Sequence, residues 1–300
     1  MSFASAPQVN HLIANLPEEV RQRWLPRLEP VELKSGAALH ESGCQMGAAY
    51  FPTTAVVSLV YETAEGASME LAMVGNEGIV GVELLLGGGS TPGRAVVRTP
   101  GAALRLPGGI LRDEFDAAGA ASPLLLRYIM ALSTQVAQTA VCARHHSLEQ
   151  RLCGWLLTRL DRVQGNALVA THEQIASMLG VRREGVTEGA LHLQRLGLIR
   201  YSRGLVAVQD RPGLEAQVCE CYAAVKKEFQ RLLPAMAVAP AWSAARGPSR
   251  ANVPDGAQPG SPVPARALVP SRPSDAPPGA TTATGGRAPA ATLAAEVSVA

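Results

Sequence analysis

The stretch that most constrains the fold of this chain is LGVRREGVT, residues 179–187, which lies between two segments of helical periodicity. Gly180 falls where a tight turn between two helices needs a residue that tolerates a positive φ angle. Thr171 is a good N-cap for the first helix, and Glu173 follows near the positive end of that helix. The positions predicted to face inward are Ile175, Ala176, Leu179, Val186, Ala190 and Leu193. The sequence therefore predicts two short helices that cross at a tight turn.

The outward face of the second helix carries polar and charged residues in its first turns, namely Arg183, Glu184, Thr187 and Glu188. In a helix-turn-helix that binds DNA, these positions enter the major groove. Arg can bond guanine O6 and N7 together, and Glu can accept from cytosine N4, at about 1 to 3 kcal/mol of discrimination per good contact. We therefore expect the second helix, about residues 182–196, to read bases of double-stranded DNA, although a run of charges is often only a solvated face.

A β-hairpin is predicted after this helix, because GLIRY and LVAVQ flank a turn over residues 202–204. A basic residue at the tip of such a wing suits phosphate, so Arg203, with Thr171 and Arg182, is expected to contact the DNA backbone. Residues 147–211 carry nine Arg against six acidic residues, a balance of +3, in a chain whose net charge is only +2. Charge alone therefore does not identify a DNA-binding domain, and a winged helix used for protein contact is the alternative.

Residues 123–145 form a long helical pattern that no Gly or Pro interrupts after Pro123. Its apolar stripe consists of Leu125, Ile129, Leu132, Val136 and Ala140. A stripe on a helix between two domains needs a cover, which either a symmetric partner helix or the chain's own β domain would supply. Ser147 and Gln150 then form a possible capping box for the next helix.

Short apolar runs punctuated by Gly and Pro occupy residues 31–107, after a short helix predicted within residues 16–28. The length, β-branched content and turn spacing of these runs favour a closed antiparallel structure, either a small barrel or a jelly roll. The predicted fold class is therefore α+β.

The composition changes at Pro234 to Ala, Pro, Gly, Ser and Thr, and such a segment buries too little side chain to offset its ordering entropy. Residues 234–300 are therefore expected to be disordered. The start of the chain, MSFASAPQVN, has no Lys or Arg, and no segment has the roughly 18 uncharged apolar residues of a membrane span. The five cysteines are scattered and do not indicate a disulfide framework, so we expect a cytoplasmic protein with no membrane partner.

The residues of metal-ligating type that cluster in the sequence are Cys142, His145, His146 and Cys153. Ser147 is expected to start a new helix and to break the register within this cluster. Cys219 and Cys221 fall in an apparent helix, residues 212–233, where an i, i+2 pair points to different faces and does not chelate one ion. We therefore expect no metal and no cofactor. No nucleophile elbow, carboxylate pair or metalloprotease spacing favours an enzyme.

The run GVRREGV, residues 180–186, resembles the recognition motif G-V-S-R-E-T-V of the cyclic-AMP receptor protein and fumarate-nitrate regulator (Crp/Fnr) family of bacterial transcription factors. The resemblance extends from about residue 12 to residue 233. It implies a cyclic-nucleotide-binding-type β-roll, a long dimerisation helix and a winged helix-turn-helix. It also implies a homodimer on a pseudo-palindromic operator, a small-molecule effector and contact with RNA polymerase. Arg183 and Glu184 match the family's base-reading residues by position.

Three positions depart from the family's motif. Arg182 replaces a Ser that caps the helix, and Gly189 replaces a larger apolar residue. Glu188 stands where relatives that read the best-known operator carry a second Arg, so we expect a different preferred half-site. Gly185 and Gly189 each cost up to about 1 kcal/mol of helix propensity.

The segment GIVGVELLLGGGSTPGRAVV, residues 78–97, occupies the place of the family's phosphate-binding cassette. The family's nucleotide binders use Gly-Glu there for the ribose and Arg-Ser for the cyclic phosphate. Gly81 and Arg94 match this pattern, but Val82 replaces the Glu and Ala95 replaces the Ser. Because valine cannot accept a hydrogen bond from a ribose hydroxyl, ordinary cyclic-AMP binding is not expected. Arg94 could hold another anion, or the Gly-rich loop is only a hairpin connection.

Together the residues and the resemblance predict a transcription regulator modulated by an unknown signal at its β-roll. The alternative is a constitutive DNA-binding or protein-interaction module whose β-roll is purely structural. The predicted domains are an N-terminal helical segment at 1–30, the β-roll sensor at 31–110, the long helix and hinge at 111–146, the winged helix-turn-helix at 147–233 and the tail at 234–300.

Overall fold

Two short helices and a 3-10 turn open the part of the chain that the computed structural model describes, residues 10–233: α1 (His11–Ala14), α2 (Glu18–Trp24) and the turn Leu25–Arg27. Helix α2 begins after Pro17, and Glu18 and Glu19 in its first turn suit the positive end of the helix. Val20 and Trp24 are buried. The short helix predicted within residues 16–28 is therefore confirmed.

Antiparallel strands then form two sheets that face each other. The strands are β1 (Glu29–Leu33), β2 (Ala38–His40), β3 (Ala48–Pro52), β4 (Val56–Glu62), β5 (Ser68–Val74), β6 (Arg94–Thr99) and β7 (Gly101–Pro107). The sheet orders are β1-β7-β3 and β2-β6-β4-β5. Between them lies an aliphatic core, in which Phe51 and Trp24 from α2 place their ring centroids 6.2 Å apart. The predicted jelly-roll-like β domain is confirmed.

Helix α3 (Gly108–Asp116), which the sequence pattern did not predict, connects the β-roll to the long helix α4 (Ser122–His145). Leu125 and Leu132 of the predicted apolar stripe are buried in the core of the β-roll. The chain's own β domain therefore covers most of this stripe, whereas Ala140 near its end is exposed.

A second face of α4 stays exposed and carries large apolar side chains. Leu126, Met130 and Val141 on this face are 49%, 53% and 47% exposed. The spacing of these residues places them on one side of the helix, next to the face that packs on the β-roll. The long helix thus has one apolar stripe that is covered and another that is not.

The C-terminal domain follows after His146, whose backbone is extended (φ −110°, ψ 152°). Its elements are α5 (Leu148–Leu160), β8 (Ala167–Val169), α6 (His172–Leu179), α7 (Arg183–Arg195), β9 (Ile199–Ser202), β10 (Leu205–Val208), α8 (Arg211–Gln217) and α9 (Glu220–Leu232). The predicted capping box of Ser147 and Gln150 is present at the start of α5. The predicted order of β-roll, long helix and winged helix-turn-helix is confirmed.

The apparent helix over residues 212–233 is two helices, because the backbone is extended at Val218 and Cys219 between α8 and α9. Cys219 is the N-cap of α9, whereas Cys221 lies in its first turn. The prediction that these cysteines sit at i and i+2 of one helix and point apart was therefore wrong.

The C-terminal domain packs against the β-roll of the same chain. Val56, Val60 and Met73 from β4 and β5 belong to the core of the C-terminal domain. A buried ion pair joins the domains as well, with Arg162 Nε 2.8 Å from Glu77 Oε1. Residues 10–233 accordingly form part of one compact unit.

The disorder predicted for residues 234–300 falls outside the described residues. Among the helices of residues 10–233, none combines the length and the hydropathy that crossing a membrane requires.

Candidate nucleic-acid interface

The first helix of the motif, α6, begins at a complete capping box. Thr171 Oγ1 accepts from Gln174 N at 3.1 Å, and Gln174 Oε1 accepts from Thr171 N at 2.9 Å. The helix ends at Gly180, whose φ of +63° is the left-handed conformation expected of this turn. All six positions predicted to face inward on α6 and α7 are buried. The two helices thus cross as the sequence predicts.

The start of α7 points three of the predicted base-reading side chains toward solvent. Arg183, Glu184 and Glu188 are exposed on its first turns. Arg182 is the N-cap residue and is exposed too, but its side chain makes no capping hydrogen bond. The backbone amides at this helix end therefore remain available to an acceptor such as a phosphate oxygen.

Thr187, the fourth predicted base-reading residue, is half-buried and bonded within the protein. Its hydroxyl donates to Arg183 O at 3.1 Å, and His172 Nδ1 lies 2.9 Å from the same oxygen. Burial lowers the pKa of His172, and the charge of Arg183 lowers it further. The His172 imidazole therefore ties the start of α6 to α7, and Thr187 mainly positions this contact.

Gly185 and Gly189 of α7 both face α5, but they differ in how closely α5 approaches. A Cβ at Gly185 would lie 2.8 Å from Leu148 Cδ2, whereas one at Gly189 would lie 3.5 Å from Leu152 Cδ2. Glycine at Gly185 thus allows α7 to approach α5 closely, whereas a Cβ at Gly189 would make an ordinary contact.

The wing places Arg203 at its tip in a two-residue turn between β9 and β10. Arg203 and Gly204 have φ angles of +49° and +79°, the signature of a type I′ hairpin turn. Gly204 O accepts from Ala170 N at 2.8 Å, so the tip lies beside the start of α6. The predicted backbone contacts Thr171 and Arg203 are therefore brought to the same edge of the domain.

Three residues that the sequence reasoning missed hold this edge together. The rings of His172 and Tyr201 stack with centroids 4.1 Å apart, which joins α6 to the wing. Gln194 Oε1 accepts from Tyr201 N at 2.9 Å, which joins α7 to the wing. Tyr201 in the short strand IRYS was the signal in the sequence for this contact, because an aromatic side chain on a wing needs another side chain to pack against.

The charge at this surface is less than the count of nine arginines indicated, because several of them serve the interior. Arg159 and Arg211 are buried, and Arg211 Nε donates to Glu215 Oε1 at 2.9 Å. The exposed arginines are Arg182, Arg183, Arg195, Arg200 and Arg203. All of them belong to α7, its N-cap and the wing. Five acidic residues within 147–211 are exposed as well, so the net charge of this surface does not by itself indicate DNA; they are Glu149, Glu173, Glu184, Glu188 and Asp210.

The β-roll segment that matches the family's cassette is closed by the chain itself. Gly81 adopts a φ of +103°, and Val82 after it is buried, as is Ala95. Arg94 lies 3.1 Å from Glu41 and 3.8 Å from Glu62, so two carboxylates already neutralise its charge.

Two residues near this cassette escaped the sequence reasoning. Glu83 and His40 each bury polar side-chain atoms that have no hydrogen-bond partner among the described residues. Burial lowers the pKa of His40, and Glu83 and Glu41 act in the opposite direction. The hint in the sequence was Glu83, which directly follows Val82. In the family motif the glutamate stands one position earlier, where this chain has Val82.

The family model of Crp-like helix-turn-helix domains matches residues 150–217, which run from α5 to the end of α8. The β-roll and long helix precede this domain in the order found in Crp/Fnr structures. Residues 150–217 therefore form a Crp-like helix-turn-helix domain, in a chain that has the fold of Crp/Fnr regulators.

Solved structures of Crp/Fnr regulators share the fold of this chain over nearly their whole length. A transcriptional regulator of the Crp/Fnr family from Eubacterium rectale is 18% identical with a TM-score of 0.58, over 69% of this chain and 96% of that one. The c-di-GMP-responsive regulator CLP of Xanthomonas campestris is 17% identical with a TM-score of 0.53, over 65% and 100%. A CRP-family regulator from Thermus thermophilus is 21% identical with a TM-score of 0.53, over 62% and 95%. No curated protein matches the chain.

Proposed function

We propose that this Crp/Fnr-type regulator binds a pseudo-palindromic DNA site as a homodimer and reads each half-site with α7. The observation that carries the proposal is the exposure of Arg183, Glu184 and Glu188 at the start of α7, beside a wing with an arginine at its tip. A recognition helix enters the major groove with these N-terminal positions against the base edges.

The side chains have separate roles in this proposal. Arg183 bonds guanine O6 and N7, and Glu184 accepts from cytosine N4. Glu188 contacts the bases that follow. Thr187 helps to hold α7 in place through its contact with His172 of α6. The contacts to phosphate come from Thr171, Arg182 and Arg203, and they set the register of the protein on the duplex without reading sequence.

The exposed stripe of α4 supports the homodimer. Leu126, Met130, Ala137 and Val141 are all exposed, and they fall within roughly 60° of the helix circumference. A symmetric pair of α4 helices would bury this stripe on both chains, which is the isologous contact that two-fold dimers use. A two-fold dimer in turn requires a site with two-fold sequence symmetry.

A signal at the β-roll modulates this binding in the proposal, and the signal is not cyclic AMP. The buried Val82 offers no acceptor to a ribose, and the acids beside Arg94 repel a cyclic phosphate. In this proposal the signal is transmitted by two routes. One is the contact of the DNA-binding domain with β4 and β5, and the other is the hinge at His146. Contact with RNA polymerase is carried over from the family. The pairing of Arg94 also favours the second candidate, a constitutive DNA-binding protein with a purely structural β-roll.

Selection of bound sequences from a random DNA pool tests the reading head. The full chain is expected to enrich a sequence with two-fold symmetry, and Arg183→Ala and Glu184→Ala are expected to change its bases. Arg112→Ala is the matched control, because Arg112 is an exposed arginine on α3 in the β-roll region. A selected sequence without two-fold symmetry, or one that both α7 variants leave unchanged, would contradict the proposal.

Calorimetry with cyclic AMP and cyclic GMP tests the statement about the effector. Neither nucleotide is expected to bind, and micromolar binding would overturn the inference from Val82 and Ala95. The two candidate functions separate by whether any small molecule that binds the chain changes its affinity for the selected DNA.

A further inference from the structure

A cluster of metal-ligating side chains lies where the end of α4 meets the start of α9. The ligand atoms of Cys142, His146, Cys219 and Cys221 all lie within 4.8 Å of one another. Cys142 Sγ is 3.5 Å from Cys219 Sγ, and Cys221 Sγ is 3.3 Å from His146 Nδ1. The sequence pattern predicted no such site, because it separated these residues into two unrelated groups.

The backbone explains why the four side chains converge. Cys142 and His146 are i and i+4, and His146 N still donates to Cys142 O at 3.1 Å, so both side chains lie on one face at the end of α4. Cys219 precedes α9 in extended conformation (φ −72°, ψ 166°), so its side chain and that of Cys221 approach the same point. Cys153 is instead part of the hydrophobic core of the C-terminal domain.

We propose that Cys142, His146, Cys219 and Cys221 bind one Zn²⁺ ion in a closed structural site. A tetrahedral ion with Zn–S of about 2.3 Å and Zn–N of about 2.0 Å sets two sulfur ligands about 3.8 Å apart and a sulfur and a nitrogen ligand about 3.5 Å apart. The Cys142–Cys219 sulfur pair at 3.5 Å and the Cys221–His146 pair at 3.3 Å each come within about 0.3 Å of this spacing. Three thiolates and one imidazole fill all four positions and leave none for substrate, so the site is structural rather than catalytic.

The ligand types and their spacing disfavour other occupants. Mg²⁺ and Ca²⁺ take oxygen ligands, which this cluster lacks. An iron-sulfur cluster places its cysteines on different iron atoms, and the ligand atoms here, all within 4.8 Å, surround a single point.

Neighbouring side chains supply the outer contacts that a zinc site uses. Gln138 Nε2 donates to Cys221 Sγ at 3.1 Å. Glu220 Oε1 lies 3.2 Å from His146 Nε2, so this carboxylate can accept from the imidazole and leave Nδ1 free to bind the ion. A carboxylate that orients a histidine in this way is common at zinc sites.

The position of the site gives it a structural role. The ligand pairs flank the whole segment from α5 to α8, and Cys142 and Cys219 are 77 positions apart in the sequence. One ion would therefore fasten together the two segments through which the chain enters and leaves the winged helix-turn-helix.

Metal analysis and Co²⁺ titration of the reduced full chain test this proposal. The wild-type chain is expected to hold one Zn²⁺, and Co²⁺ in its place should give the thiolate charge-transfer and tetrahedral absorption bands. Cys142→Ser and Cys219→Ser should lose these signals, and Glu220→Gln should weaken metal binding by about 10- to 100-fold. Cys44→Ser and Cys153→Ser are the controls and should bind as the wild type does.

Wild-type chain that binds neither ion, or ligand variants that keep wild-type affinity, would overturn the proposal. A Cys142–Cys219 disulfide in the isolated chain, found by mass spectrometry, would also overturn it. The Co²⁺ titration of the wild type does not depend on whether any variant folds. DNA binding is measured separately, so failure of the metal site and failure of the proposed function are distinguishable.

Discussion

Trp155 Nε1 donates a 3.1 Å hydrogen bond to Glu70 Oε1, and this bond joins the DNA-binding domain to the β-roll. Both residues are buried, and the second carboxylate oxygen of Glu70 accepts from Ser58. The guanidinium of Arg159 lies over the ring of Trp155, 5.0 Å from its centroid. The docking of the two domains thus depends on a small polar network inside an apolar interface.

Trp155→Phe is expected to destabilise the chain by about 1 to 3 kcal/mol, because it leaves a buried acceptor of Glu70 without its donor. Urea unfolding measures the loss, and a double-mutant cycle with Glu70→Gln should show coupling between the two positions. Trp24→Phe is the control of equal size in the other core, and its effect should add to that of Glu70→Gln. Additivity in both cycles would contradict the assigned bond.

The stability of the chain should depend on pH through Glu70. Burial raises the pKa of this carboxyl, against the hydrogen bond from Ser58 and the charge of Arg159. Since the pKa is higher in the folded state, the stability that Glu70 contributes is present below its ordinary pKa and lost as pH rises through the raised value. Unfolding of the wild type and Glu70→Gln across this range should give a flatter profile for the variant. If the free energy of unfolding had the same pH dependence in the wild type and in Glu70→Gln, Glu70 would not be its source.

Gly185 and Gly189 provide a matched pair of alanine substitutions on α7. Gly189→Ala should raise the free energy of unfolding by up to about 1 kcal/mol, because alanine improves helix propensity and its Cβ makes an ordinary contact with Leu152. Gly185→Ala should gain less or lose stability, because Leu148 must move away from the new Cβ. Denaturant titration of both variants decides the order, and a larger gain at Gly185 would be inconsistent with close packing on α5.

Arg203→Asn separates the charge of the wing from its conformation, since asparagine tolerates the positive φ that Arg203 adopts. We expect affinity for DNA to fall alike for all sequences and the salt dependence of log K for the dimer to lose about two units of slope, one for each protomer. Arg183→Ala should instead change which bases are preferred. Fluorescence anisotropy at several salt concentrations measures both effects, and a change of base preference in Arg203→Asn would contradict a phosphate contact.

Met130→Glu should weaken the dimer, because it places a charge in the exposed apolar stripe of α4. Sedimentation should then show a larger monomer fraction, and affinity for a two-fold DNA site should fall with it. Leu86→Glu introduces the same charge at a leucine of the β-roll that is 60% exposed, and it should leave the dimer intact. Equal behaviour of the two variants would argue against this stripe as the interface.

The helix-turn-helix was predictable because its determinants are local. Gly180 makes its turn, Thr171 caps its first helix, and the apolar spacing of α6 and α7 fixes which residues face inward. The break between α8 and α9 was not predictable, since neither Gly nor Pro marks Val218 and Cys219. The sequence pattern contains no signal for such a break beyond weak helix propensity.

The contacts between domains lay beyond the sequence pattern, because they bring together residues far apart in the chain. The pairing of Glu70 with Trp155 and of Glu77 with Arg162 depends on how β5 meets α5. The same holds for the covered face of α4, since periodicity identifies an apolar stripe but not its partner.

The hinge between the long helix and the DNA-binding domain is very short. Helix α4 ends at His145 and the capping box of α5 begins at Ser147, so the extended dihedral angles of His146 and Ser147 are the ones that lie outside both helices. A small rotation about these torsion angles would move the DNA-binding domain, and α7 with it, as a rigid body. In a dimer, the two copies of α7 would then move apart or together. These few torsion angles would therefore set the distance between the two copies of α7. That distance has to match the spacing of the half-sites, about 34 Å when they lie one turn of the duplex apart.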